Sequence, residues 1–108
     1  MAVPQRSPEQ RREASQRAVL ARRRRTDVAA QLKTGGLSLP ELFVLARTDD
    51  AVAGMRVSAV LASLPRMGPR RSADAMARLR VSPSRRLRGL GSAQRLSLIH
   101  ISEPTRPY

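Results

Sequence analysis

The chain has 108 residues, of which 41% are apolar, so it can fill one modest core and no more. It has no cysteine and a single histidine, His100, which excludes disulfide frameworks and thiolate metal sites; we expect no metal and no other cofactor. The 21 Lys and Arg outnumber the 8 Asp and Glu for a net charge of +13, so we expect a polyanionic partner.

Composition also indicates which kind of polyanion the protein binds and in which cellular compartment it is expected. Every cation except Lys33 is arginine, whose planar guanidinium matches phosphate oxygens. The only aromatic residues are Phe43 and Tyr108, so the stacking platforms of single-strand binders are missing and a duplex is favoured. No signal-peptide apolar region and no stretch long enough to span a bilayer is present, which predicts a cytoplasmic protein without membrane contact.

The first predicted element is a long helix over about residues 8–34. The run Ser7-Pro8-Glu9-Gln10 combines an N-cap hydroxyl, a proline at the first helical position and a capping-box glutamine. No breaker follows before Gly35, which suits the left-handed residue that ends a helix. The first half carries mainly alanine and arginine, so we expect it to project into solvent while Val28 and Leu32 dock on the core.

Four consecutive arginines lie within this helix. They cover every face of it, so some of them must be solvated. We expect the others to make secondary contacts with nucleic acid. The run consists of Arg22, Arg23, Arg24 and Arg25.

Three shorter helices are predicted next. Ser38 begins a second capping box, and the apolar residues after it predict a helix over about residues 39–47. The run Thr48-Asp49-Asp50 can cap a short third helix that ends near Gly54. Ser58 can cap a fourth, whose apolar residues recur at helical spacing up to Leu64.

The sequence from Val60 to Leu79 predicts a helix-hairpin-helix. A run from Leu64 to Pro69 breaks the fourth helix, and a fifth restarts over about residues 70–80. We expect its inner face to consist of Ala73, Met76, Ala77 and Leu79, with the small Ala73 toward the partner helix. An ordinary corner between two helices, with solvated arginines, is the alternative.

The turn of this motif is a candidate phosphate site. A helix N-terminus presents unpaired amides and the positive end of its dipole, and a glycine lets a phosphate approach closely. Since Pro69 has no N–H, the next two amides must supply the hydrogen bonds. The predicted DNA contacts are Pro65, Arg66, Gly68, Arg70 and Arg71.

A second basic element follows at residues 84–91. It joins hydroxyl, guanidinium and flexible backbone, each of which can hold phosphate oxygens or enter a narrow minor groove. Leu87 and Leu90 would anchor it to the core, and a solvated loop is the alternative. Backbone contacts carry no base identity, so we expect little sequence specificity. The predicted DNA contacts are Ser84, Arg85, Arg86, Arg88, Gly89 and Gly91.

The tail at residues 96–108 is interpreted as foreign to the protein. Residues 96–106 read as the translation of a transposase-end adaptor used in sequencing libraries, a coincidence too long to expect by chance. The alternation from Leu96 to Ile101 would otherwise predict a native strand. We expect a final helix, capped by Ser92, that this tail interrupts.

Three stretches of the sequence carry a family resemblance. They are Leu32–Gly36, Met55–Pro65 and Arg85–Gly91. On these stretches the chain, from about Ala2 to Arg95, is similar to the actinobacterial integration host factor family of small nucleoid-associated proteins. The resemblance implies a long first helix, a compact helical domain with a helix-two-turns-helix motif, duplex DNA binding that affects topology and compaction, and DNA contacts at residues 64–71 and 84–91.

The sequence therefore predicts an all-α protein in three parts. These are an N-terminal basic helix over residues 1–36, a helical DNA-binding domain over 37–95 and the adaptor-derived tail over 96–108. We expect a monomer in solution that binds double-stranded DNA in the nucleoid and takes no small-molecule substrate.

Two other functions remain as alternatives to DNA binding. An enzyme is disfavoured because residues 1–95 contain no histidine, no cysteine and no clustered carboxylates for acid-base work. A ribosomal RNA-binding protein stays open, because arginines also suit A-form RNA, which is read mostly by its shape and hydroxyls.

Overall fold

The computed structural model describes residues 7–102. Within that range the chain forms six α-helices and one short 3-10 helix at Leu87–Gly89, and no strand. The all-α class, with a long first helix and a compact helical domain, is confirmed. No helix in the described range has the length and apolarity that a membrane crossing requires. The α-helices are α1 Pro8–Thr34, α2 Leu39–Leu45, α3 Asp50–Ala53, α4 Val57–Ser63, α5 Pro69–Arg78 and α6 Ser92–Ser102.

The long helix α1 begins and ends as its sequence predicts. The backbone N–H of Gln10 donates to Ser7 Oγ at 3.1 Å, and the N–H of Ser7 donates back to Gln10 Oε1 at 2.9 Å. Gly35 ends the helix with φ 82°, a conformation that L side chains rarely adopt. Val28 and Leu32 are fully buried, whereas none of the residues from 7 to 27 is. The first half of α1 therefore projects from the domain, and the molecule measures 65 × 30 × 24 Å.

The core lies between the second half of α1 and the shorter helices. α1 packs on α3 and α4, α4 packs on α5, and α2 packs on α6. The core is aliphatic, as the near absence of aromatic residues requires. Its largest fully buried side chains are Val28, Leu32, Leu42, Val52, Val57, Val60, Leu61 and Leu98.

The buried face of α5 differs from the predicted one. Ala73 was expected to face the partner helix, but it is exposed. Ala77 is exposed as well, whereas Met76 is buried as predicted. Ser72 and Ala75 share the buried face with Met76, at i, i+3 and i+4. The buried Oγ of Ser72 has no hydrogen-bond partner among the described residues.

The start of α4 also differs from prediction. Arg56 occupies the N-cap position, and no side chain caps the helix. Ser58 lies inside the first turn, where its Oγ donates to the carbonyl of Pro83 at 3.0 Å. The hydroxyl predicted to cap a helix thus fastens the loop that leads into the second basic element.

The last helix continues through the segment interpreted as foreign. Gly91 precedes α6, and its N–H donates to Gln94 Oε1 at 3.0 Å. Leu98 is 1% exposed and joins the core, so the helix is not interrupted at Leu96 and no strand forms there. The adaptor origin of residues 96–108 stays a prediction, and its portion from 103 onward lies outside the described range.

Candidate nucleic-acid interface

Gly68 lies at the N-terminus of α5 with open space around it. Its backbone has φ −76° and ψ 170°, extended values that any residue adopts. A Cβ built on it would meet no atom of the described residues within 4 Å. The fold itself therefore gives no reason for a glycine here. A bound ligand that approaches the backbone closely would explain the glycine.

Arg66, two residues earlier, is held in an uncommon conformation. Its φ of 64° lies in the left-handed region, which costs an L side chain about 1–2 kcal/mol. Arg71 Nη1 donates to the Arg66 carbonyl at 3.3 Å and links the turn to α5. Pro65, Arg66 and Arg71 line one cleft of about 610 Å³. Three of the predicted contacts thus come together, at the cost of a strained arginine.

The N-terminus of α5 remains available for hydrogen bonding. No side chain caps the helix, and Pro69 occupies its first position. Arg70 is exposed beside it. The amides of the first turn, together with the dipole, therefore present positive charge beside Gly68.

The second basic element is pinned to the start of α4. The N–H of Val57 donates to the carbonyl of Arg85 at 2.8 Å, and the N–H of Leu87 donates to that of Met55 at 2.9 Å. These two bonds flank an antiparallel bridge between Arg56 and Arg86. Leu87 and Leu90 are 3% and 5% exposed, which confirms their predicted role as anchors.

Two arginines of this element hydrogen-bond to the protein's own backbone. Arg86 Nη1 donates to the Gly54 carbonyl at 2.5 Å, and Arg85 Nη1 donates to the Gly89 carbonyl at 2.9 Å. A Cβ at Gly89 would lie 2.9 Å from Arg85 Cδ, so this glycine makes room for the arginine that folds over it. The sequence indicated charge here and missed this structural use of it.

The other predicted contacts of the element differ in their surroundings. Ser84 forms a small turn, because its N–H donates to Ser82 Oγ at 3.3 Å. Arg88 is exposed, and its guanidinium lies over Gly54, where Nη2 is 2.9 Å from the position of a Cβ. Gly91 is exposed, and a Cβ there would meet only Gln94 Oε1 at 3.8 Å.

Helix α4 fixes the spacing of the two candidate elements. The basic element contacts the start of α4 at Val57, the loop before it contacts Ser58, and the turn follows the end of α4 at Ser63. Seven helical residues rise about 10 Å. The turn and the basic element are therefore attached to opposite ends of one short, rigid helix.

The four arginines of α1 have different environments. Arg24 Nε donates to Asp49 Oδ2 at 2.8 Å, and this bond, above all, lowers the pKa of Asp49 below its ordinary value of 3.8. Asp49 Oδ1 accepts from the first amides of α3, so the pair ties α1 to the domain. Arg23 lines a groove together with Arg22 and Asp27.

The other two arginines of the run, Arg22 and Arg25, line a groove of about 510 Å³ together with Arg56 and Arg86. Sequence reasoning did not select Arg56. Its position directly before α4 carries no local signal, and only the bridge to Arg86 brings it beside the others.

The described residues offer a surface for anions rather than a metal centre. They include no group of three or more His, Cys, Asp or Glu that could hold a metal ion. Guanidinium groups, first-turn amides and an open glycine are the donors that phosphate oxygens accept.

Comparisons with known proteins agree on the class of protein. The model of the S13-like H2TH domain matches residues 32–101. A protein named integration host factor from Mycolicibacterium smegmatis is 42% identical over 99 residues, which cover 92% of this chain and 94% of the relative. Its namesake from Streptomyces coelicolor is 47% identical over 98 residues, which cover 91% and 92%. The namesake from Mycobacterium tuberculosis is 41% identical over the same shares as the first relative.

A solved structure is similar as well. It is described as sIHF bound to an 8-bp palindromic DNA, and it superposes with a TM-score of 0.77 at 43% sequence identity. The similarity covers 82% of this chain and 99% of that one.

Proposed function

The chain belongs to the integration host factor family of these actinobacterial relatives, and we propose that it binds double-stranded DNA through the sugar-phosphate backbone as an architectural protein of the nucleoid. Phosphates recur regardless of base, so the binding has little sequence specificity. We further propose that the protein is a monomer in solution.

The open N-terminus of α5 is the observation that carries this proposal. Gly68 has space that no neighbour fills, although its backbone conformation does not require glycine. The strained Arg66 and the exposed Arg70 and Arg71 lie within three residues of Gly68 in the chain and bring positive charge to this end of α5. A phosphate at this point would accept hydrogen bonds from the first-turn amides and lie at the positive end of the helix dipole.

The proposed contacts form two groups and a secondary one. At the turn they are Pro65, Arg66, Gly68, Arg70 and Arg71; at the basic element they are Ser84, Arg85, Arg86, Arg88, Gly89 and Gly91. The secondary contacts are Arg22, Arg23, Arg24 and Arg25. Arg24 contributes least among these, because Asp49 already accepts its hydrogen bond.

We propose a binding role without catalysis. The relatives share the name of an integration host factor rather than of an enzyme. Residues 1–95 have neither a histidine nor a cysteine to act as base or nucleophile. Incubation with a duplex that contains an abasic site should leave both strands intact, and strand cleavage would overturn this part of the proposal.

Salt dependence tests the phosphate mechanism directly. Neutralising about 4 to 6 phosphates gives a slope of log Kobs against log salt of roughly −4 to −5. Fluorescence anisotropy with two duplexes of unrelated sequence should give similar slopes and affinities. A slope near zero would contradict backbone binding.

Competition separates DNA from RNA as the partner. The family relatives and the DNA-bound neighbour favour DNA over a ribosomal RNA. Excess double-stranded RNA at matched salt should fail to displace a bound DNA duplex. If double-stranded RNA displaces the DNA under these conditions, the protein binds A-form helices instead.

A further inference from the structure

The groove between α1 and the Arg56–Arg86 bridge is lined by four arginines. Arg22 and Arg25 come from α1, and Arg56 and Arg86 come from the two paired segments. No acidic side chain lines this groove among the residues that the structure describes. Its volume is about 510 Å³.

The bridge places the backbones of two of these arginines directly opposite each other. The flanking hydrogen bonds, from Val57 to Arg85 and from Leu87 to Met55, leave Arg56 and Arg86 as a non-hydrogen-bonded pair. Cα atoms in such a pair lie about 4.5 Å apart, and their side chains project from the same face. Like charges in this arrangement destabilise a pair of strands unless an anion lies between them.

Partners inside the protein offset this repulsion only in part. Arg86 donates to the carbonyl of Gly54, a neutral acceptor that leaves its charge uncompensated. For Arg22, Arg25 and Arg56, the described residues provide no carboxylate within salt-bridge distance. Arg24, the neighbour of Arg25, shows the contrast, because Asp49 neutralises it.

We propose that this groove is a phosphate-binding site separate from the turn at Gly68. Its ligand is a group of adjacent phosphates, in a free polyphosphate or in the backbone of a nucleic acid. The three unpaired guanidiniums and the remaining donors of Arg86 would share the phosphate oxygens, and a bound phosphate would relieve the repulsion across the bridge. Arg22, Arg25 and Arg86 are among the DNA contacts proposed above, so with nucleic acid as the ligand this site rests on that proposed function. It does not depend on the role of the turn at Gly68.

Inorganic tripolyphosphate is the probe, and calorimetric titration of the full chain is the measurement. Arg56→Gln and, on the other wall, Arg22→Gln should each raise the Kd about tenfold, the effect of one lost charge-assisted hydrogen bond. Arg47→Gln, the control, removes an equal charge from an exposed position after α2 and should change the Kd less than about twofold. Equal Kd values for all three variants would overturn the site and leave only general attraction to a basic protein.

Thermal unfolding provides a second readout. In phosphate-free buffer, Arg56→Gln should unfold at the same temperature as the wild type or higher, because it removes the like-charge pair. Tripolyphosphate should raise the Tm of the wild type more than that of Arg56→Gln. A lower Tm for this variant without phosphate would contradict the repulsion on which the site is argued.

Two arms with duplex DNA identify the source of the phosphates. If DNA fills the groove, tripolyphosphate displaces duplex, and Arg56→Gln flattens the salt slope by about one. If the groove takes free polyphosphate, tripolyphosphate binds the preformed DNA complex with unchanged affinity. Gly68→Ala should keep tripolyphosphate binding in either case, so a failure of the DNA-binding proposal remains distinguishable from a failure of this one.

Discussion

The turn at Gly68 and the basic element at residues 84–91 both carry arginines, but the protein uses those arginines differently. At the turn, the space around Gly68 is empty. In the basic element, Arg85 and Arg86 hydrogen-bond to backbone carbonyls and hold the segment in place. Substitutions at the turn should therefore separate DNA binding from folding. Substitutions in the basic element should affect both.

The largest effect is expected from charge reversal in the basic element. Arg85→Glu with Arg86→Glu should weaken binding to all duplexes by about 100-fold, through the loss of two charge-assisted contacts with phosphate. It should also lower the free energy of unfolding by about 1–3 kcal/mol, because two arginine–carbonyl hydrogen bonds are lost. Anisotropy on two sequences and urea denaturation measure these effects.

Arg11→Glu with Arg12→Glu is the matched control for this reversal. Both residues are exposed on the projecting half of α1, and neither belongs to the proposed contacts. The control changes the net charge equally and should reduce affinity far less. Affinity that survives in the Arg85/Arg86 variant would show that the basic element is a solvated loop.

The next largest effect is expected from Gly68→Ala. The added methyl group would obstruct a phosphate and lower DNA affinity about tenfold, the equivalent of one good hydrogen bond. The free energy of unfolding should stay the same or rise by about 0.5 kcal/mol, because alanine restricts the unfolded chain and meets no neighbour. Gly36→Ala, at an exposed glycine outside the turn, is the control. If Gly68→Ala binds DNA as tightly as the wild type does, the open space at Gly68 is not a DNA contact and the proposed difference between the two elements is wrong.

Arg66→Gly tests the strain at the turn. Glycine removes the cost of φ 64° and should raise the free energy of unfolding by about 1 kcal/mol. The lost charge should reduce DNA affinity several-fold and flatten the salt slope by about one. Arg80→Gly is a close control, because Arg80 also has a left-handed φ of 53° and lies outside the proposed contacts. Arg80→Gly should raise the free energy of unfolding without lowering DNA affinity. Equal losses of DNA affinity in the two variants would show that Arg66 is not part of the interface.

The smallest effect is expected at the Arg24–Asp49 pair, outside both elements. The hydrogen bond from Arg24 holds the pKa of Asp49 below its ordinary value of 3.8. The stability it contributes is therefore present above about pH 4 and is lost as the pH falls through the folded-state pKa.

Asp49→Asn should remove this part of the acid destabilisation, which is under about 1 kcal/mol for a partly exposed pair. The Ser38 contacts that lower the pKa of Glu41 are common to both proteins, so their difference in urea titrations isolates Asp49. DNA affinity at neutral pH should not fall. A loss larger than that of Gly68→Ala would mean that the orientation of α1 is part of the interface.

Local signals predicted the helices well, and long-range contacts account for the errors. The capping boxes at Ser7 and Ser38 and the left-handed Gly35 lie where the sequence places them, because each depends on residues within one turn. Ser58 was assigned to a cap on the same local rule, yet its hydroxyl binds Pro83, 25 residues away. Ala73 is predicted to face the partner helix because it is small, but Ala73 is exposed and Ser72 is buried.

The sequence by itself determined the helical class, the strong positive charge and the two arginine-rich positions, because these follow from composition and short spacing. Only the tertiary structure decided which arginines remain available to a partner. An arginine side chain is long, and its hydrogen-bond partners in this protein are distant in sequence. Arg24 donates to Asp49, and Arg86 donates to the carbonyl of Gly54. No local pattern records such pairs, because packing α1, α3 and the basic element against one core is what brings them within hydrogen-bond distance.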